Sequence, residues 1–115
     1  MKAAVTQGTV LKPFQQEAVD NAVAILSRCL QDLEAVKKTA AYEKSRRLIV
    51  GDMGAVLFEA PTGTGKTLMA GHVVEKLSLT GSRVAMPPVL WFWFAPFAGL
   101  IEQSARVIRS EFNSL

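Results

Sequence analysis

The residues with the clearest capacity for chemistry lie in one run, Ala60-Pro61-Thr62-Gly63-Thr64-Gly65-Lys66-Thr67. Two glycines one residue apart allow backbone conformations closed to other residues, so the N–H groups from Gly63 to Thr67 can turn toward a single anion. Lys66 adds a cation and Thr67 a hydroxyl, and a helix opening at this point adds the positive end of its dipole. Amides, ammonium and hydroxyl together suit a polyphosphate. Lys66 would meet its two terminal phosphates, and Thr67 would hold a Mg²⁺ that bridges them and eases charge development at the last. The plainer reading is a Gly/Thr-rich turn joining two elements, which leaves the lysine without a structural task.

Such a loop needs an element on each side. Ala55 to Ala60 is a short apolar run without helical period, which predicts a buried parallel strand. After Lys66, the apolar residues Leu68, Met69, Val73, Val74, Leu77 and Leu79 predict a helix that ends at Gly81-Ser82. Upstream, Lys12-Pro13-Phe14 opens an amphipathic helix through Phe14, Ala18, Ala22, Ile25, Cys29, Leu33 and Val36, widened by Val19, Val23, Leu26 and Leu30 and closed by Lys37-Lys38. Thr39 to Gly54 reads as a connector, in which Tyr42 to Arg47 suits a helix, Leu48-Ile49-Val50 a short strand and Gly51 to Gly54 a turn. Downstream, Val89 to Ala95 predicts a second strand, and beyond Pro96 a last helix carries Leu100, Ile101, Val107, Ile108 and Phe112. The order α, β, α, β, α predicts the α/β class, with parallel strands, a right-handed crossover and flanking helices.

With 115 residues, 50% hydrophobic and 20% charged, the chain has the composition of one small packed domain, and its net charge of +3 tolerates a phosphate-bearing partner without demanding one. A single cysteine, Cys29, excludes an internal disulfide or a multi-cysteine metal cage and makes a reducing, cytoplasmic setting the expectation. The first residues carry no signal-peptide run. Ala85 to Ile101 is uncharged, but Pro87, Pro88, Pro96 and Gly99 would interrupt a spanning helix, so no membrane is expected. Two strands are few for a robust sheet, and Trp91 to Phe94 is an expected aggregation segment when unpaired.

The wording around the loop is more specific. Pro61 to Thr67 resembles motif I of superfamily two helicases, the DEAD/DEAH-box group, and the run from Ala60 resembles a P-loop (Walker A) with Ala where Gly is usual. Leu11-Lys12-Pro13-Phe14-Gln15 is similar to the Leu-Arg-Pro-Tyr-Gln entry of these motors, where the glutamine reads adenine; Gln15 matches it, and a carboxamide can meet one donor and one acceptor on that base. A solvent-facing glutamine early in a helix is the alternative. Phe94-Ala95-Pro96-Phe97 through Gln103-Ser104 resembles motif Ia, which touches the nucleic-acid backbone in that group. Phe97 stands where a small hydroxylated residue is usual, which leaves N–H groups after Pro96 for a phosphate. A helix start with Gln103 and Ser104 merely exposed is the alternative here. The spacing from Gln15 to the loop and the aromatic run before Ala95-Pro96 most resemble the restriction-type helicase subunits, which translocate on double-stranded DNA, so DNA is favoured over RNA.

The resemblance implies a partial RecA-like P-loop NTPase lobe over residues 1–115. It implies ATP and Mg²⁺ as cofactors, with Gln15, Pro61, Thr62, Gly63, Thr64, Gly65, Lys66 and Thr67 on the nucleotide, Lys66 catalytic and Thr67 on the metal. Nucleic acid would meet Pro96, Phe97 and Gln103, and further helicase lobes or a larger complex would complete the motor. The group also needs an Asp-Glu box, and the acidic residues after the loop, Glu75, Glu102 and Glu111, fall on helical patterns as solvated charges. The expectation is nucleotide binding without useful hydrolysis by this chain alone. A stand-alone nucleotide-binding module, a small-molecule kinase or an AAA-type ATPase remain as alternatives. His72 reads as structural or exposed and Cys29 as core. Lys37-Lys38 and Arg46-Arg47 read as a solvated face or as a nucleic-acid patch with Tyr42 its one aromatic.

Overall fold

The computed structural model describes residues 10–61, 63–83 and 90–112. Helix α1 spans Pro13–Val36. Proline suits its first position, having no N–H to leave unpaired, and the Lys12 N–H is capped by Gln15 Oε1 at 2.9 Å. The buried line of α1 runs Gln15, Val19, Ala22 and Cys29, so the core stripe follows the residues beside Phe14 and Ile25, both of which remain exposed. Helix α2, Tyr42–Met53, packs along α1, and helix α3, Lys66–Arg83, also packs against α1. Helix α4, Ala98–Glu111, rests on α3.

The core is the α1–α3 contact: Val19 and Ala22 meet Met69, Val73 and Leu77, with Leu11, Leu26 and Phe58 packed at its edges. Each large apolar side chain so buried contributes about 1.5–3 kcal/mol. A second anchor holds α4. Phe112 is 2% exposed, sits edge-on to His72 with ring centroids 4.8 Å apart, and covers Gly71 so closely that a Cβ there would collide with its ring. Position 71 must therefore be glycine for α3 and the end of α4 to approach as they do.

The α/β expectation, a partial RecA-like lobe with parallel strands, is overturned. Among the described residues there are four helices and no strand. Residues 55–60 run between α2 and the loop without a ladder, and Leu57 is 85% exposed. In the second expected strand Val89 lies outside the described residues, and residues 90–95 likewise carry no ladder. Exposure still alternates along that segment, Trp91 and Trp93 at 40 and 37% and Leu90, Phe92 and Phe94 much more open. The Trp91 Nε1–H donates to Ser78 Oγ at 3.3 Å, and the ring helps to line an apolar cavity of about 420 Å³ with Ala22, Leu26, Val56, Val73 and Val74. An apolar run specifies a pleat, but a strand also needs a neighbour for its N–H and C=O groups, and neither run has one among the described residues.

The connector is corrected too. Leu48-Ile49-Val50 is helical, as are Gly51 and Asp52, because α2 continues to Met53. Tyr42, Ile49 and Met53 recur at helical spacing and are half-buried, whereas Leu48 and Val50 are exposed, so β-branching at Ile49 and Val50 did not decide the conformation. Cys29 is buried as expected, and burial pushes its thiol up, with Asp32 adding to the effect.

Candidate functional site

The loop between Pro61 and Lys66 turns on its glycines. Gly63 has φ 85° and Gly65 has φ 88°, angles that L side chains rarely adopt. The Thr64 hydroxyl donates to the Pro61 carbonyl at 2.6 Å and the Thr64 N–H reaches the same oxygen at 3.3 Å, closing a tight turn. Thr62 lies outside the described residues. At the loop's end the Gly65 carbonyl accepts the Met69 N–H at 2.9 Å, the first bond of α3, so Lys66 and Thr67 occupy that helix's first turn. There the Lys66 ammonium reaches back across the loop to the Ala60 carbonyl, 2.9 Å away, on an exposed side chain.

Gln15 is brought to this loop from 49 residues upstream. Its Nε2 donates to the Thr64 carbonyl at 2.7 Å, and a Cβ at Gly65 would lie 2.5 Å from the same nitrogen. A carboxamide has two donors and two acceptor positions, so after the Thr64 and Lys12 bonds one of each remains. Gln15 is 7% exposed, which makes it a structural link between α1 and the loop before any other role. The sequence signal for that link was the glutamine two residues after Pro13, the position from which a side chain caps its own helix.

The surface over Gly63 is open, since a Cβ there would meet nothing within 4 Å. Left-handed residues in such a loop can aim successive amides into one concavity, and with Lys66 and a helix N-terminus alongside, the arrangement can hold an anion. Pro96 and Phe97 stand exposed before α4, and Gln103 is exposed on it. Phe97 accepts the Leu100 and Ile101 N–H groups through its carbonyl, at 3.0 and 3.3 Å, so α4 is capped by backbone alone. No hydrogen bond joins these three residues to the loop among the described residues. Ser104, merely exposed in the alternative reading of this stretch, is buried. Among the described residues no group of His, Cys, Asp and Glu is arranged to hold a metal ion, and no helix is long and apolar enough to cross a membrane.

Comparison with known proteins gives the class first, a helicase-like family of ATP-binding domains. The chain belongs to the family described as type III restriction enzyme, res subunit, whose model matches residues 9–113. No curated protein and no solved structure matches it.

Proposed function

We propose that this chain is the nucleotide-binding portion of a DNA helicase or translocase, and that its loop from Pro61 to Thr67 receives the phosphates of Mg·ATP. The observation that carries the reading is the pair of positive-φ glycines, Gly63 and Gly65, placed immediately before Lys66 at the start of α3. Open space over Gly63 leaves room for a phosphate oxygen, and Lys66 is exposed at the loop rather than buried in an ion pair. Thr67, next along the first turn, offers the hydroxyl for Mg²⁺, which when bound would neutralise charge between the last two phosphates.

Gln15 supports an adenine-specific site through its remaining donor and acceptor, held in place by the bond to Thr64. Nucleic acid would pass the start of α4, where Pro96, Phe97 and Gln103 are exposed. DNA is the favoured polymer because the family is that of restriction subunits. The chain's own residues bind rather than hydrolyse, since the acids that follow the loop, Glu75, Glu102 and Glu111, all belong to helices α3 and α4.

Isothermal calorimetry tests this directly. Mg·ATP should give saturable heat that Lys66→Ala reduces at least about tenfold in affinity, the loss of one charge-assisted bond to phosphate. GTP should bind more weakly than ATP, and Gln15→Ala should narrow the difference. No heat with Mg·ATP on folded protein overturns the proposal, and steady ATP turnover that Lys66→Ala abolishes overturns the statement about hydrolysis.

A further inference from the structure

The positive charge of this protein is concentrated in one place. Residues 37–47 hold Lys37, Lys38, Lys44, Arg46 and Arg47 against Glu43, a net +4 in a chain whose total is +3, so all the remaining residues sum to −1. The structure folds this stretch into the corner between α1 and α2. Backbone bonds from Thr39 N–H to the Val36 carbonyl and from Tyr42 N–H to the Thr39 carbonyl, 3.0 and 3.3 Å, make the turn compact.

Lys37, Lys38, Lys44 and Arg47 are exposed there. Arg46 is tied to Glu43 at 3.0 Å and Lys37 lies 4.0 Å from Glu34, whereas Lys38, Lys44 and Arg47 make no ion pair among the described residues. Helix stability explains only part of this. Lys37 and Lys38 suit the negative end of α1, but Lys44 occupies the first turn of α2, where the dipole disfavours a cation, with Arg47 a turn further along the same face. Cations kept where they repel one another and oppose the helix point to an external anion.

That anion is not the nucleotide. Gln15, which borders the loop, stands at the opposite end of α1, and a helix of 24 residues is about 36 Å long. We infer that the α1–α2 corner is a second nucleic-acid surface, on which Lys38, Lys44 and Arg47 contact backbone phosphates. The inference rests on the helicase reading for its choice of polymer. Tyr42 is half-buried and no other aromatic lies in the stretch, so the surface holds phosphates and does not stack bases.

Fluorescence anisotropy of a labelled 25-base-pair DNA duplex with the full chain, across a series of KCl concentrations, tests it. The triple variant K38A/K44A/R47A should weaken binding about tenfold or more at low salt, and its slope of log affinity against log salt should shrink by about 2–3, close to one for each phosphate no longer neutralised. Lys44→Glu alone should weaken binding while leaving α2 intact, because an acid in that first turn suits the dipole; it keeps the test decisive if the triple variant folds poorly. Duplex binding with affinity and slope unchanged in both variants overturns the inference but leaves the helicase reading standing. Absence of duplex binding beside normal Mg·ATP heat overturns it as well, as does charge-dependent binding to phosphatidylserine vesicles with none to DNA. Loss of the Mg·ATP heat alone counts against the nucleotide site and not against the corner.

Discussion

The side chain of Gln15 joins α1 to Thr64 across 49 residues of sequence, its Nε2 2.7 Å from the Thr64 carbonyl while its Oε1 caps the Lys12 N–H at 2.9 Å. One residue thus fixes both the start of a helix and the crest of the loop. Gln15→Ala should lower stability by about 1–3 kcal/mol, the cost of stranding partners in a nearly buried position. Gln15→Glu keeps an acceptor for Lys12 but turns a second oxygen on the Thr64 carbonyl, so it should recover the helix cap and not the loop link. Urea unfolding midpoints for the three proteins read the difference; equal midpoints for all of them would show that the link carries no weight.

The two loop glycines should fail differently. Gly63→Ala meets open space, so its cost is the left-handed backbone alone, about 1–2 kcal/mol. Gly65→Ala carries the same strain and also sets a methyl 2.5 Å from Gln15 Nε2. It should therefore unfold at lower urea than Gly63→Ala and disturb the Gln15 link. Combining each with Gln15→Ala checks the mechanism: the Gly65 pair should be markedly less than additive and the Gly63 pair additive.

Much of the loop's local geometry was legible because its signals are local. Glycines at 63 and 65 before a lysine specify a turn and a helix start whatever surrounds them, and Pro13 with Gln15 specifies the head of α1. The strands were not legible in the same way. Phe92 and Phe94 share one face, their ring centroids 6.4 Å apart, but whether a pleated run becomes a strand depends on a partner its own residues do not encode. At Leu48-Ile49-Val50 local β preference competed with the period set by Tyr42, Ile49 and Met53, and packing against α1 decided it. The approach of Phe112 to Gly71 joins distant residues, and no spacing rule announces such a pair.

The outward face of residues 90–94 sets the protein's colloidal behaviour. Leu90, Phe92 and Phe94 are 78, 71 and 87% exposed in a stretch without charge, the combination that favours edge-to-edge association. A double substitution, Phe92→Ser with Phe94→Lys, should raise the concentration at which light scattering begins by several-fold while helix content by circular dichroism stays constant. Trp91→Ser should do the opposite to the fold, since that ring lines the cavity beside Val73. Unchanged scattering in the double variant would move the cause of association elsewhere.

His72 makes the α3–α4 contact sensitive to pH. Its Nε2 is buried without a hydrogen-bond partner, and its ring meets the Phe112 edge at 4.8 Å. Burial holds its pKa below the ordinary 6.5; Glu75 and Glu111 pull it upward and Lys76 adds to the lowering, with burial the largest influence. The folded state therefore favours neutral imidazole, and below pH 6.5 the unfolded chain binds a proton that the folded chain does not. Stability is full above that value and falls as the pH drops toward the lowered folded pKa. Urea unfolding at about pH 7.5 and about pH 5 should show the loss, and His72→Leu, which keeps an apolar neighbour for Phe112 and removes the titration, should show less of it. The two proteins keep the same carboxylates and differ only at residue 72, and an equal loss in the two would assign the pH response to other groups.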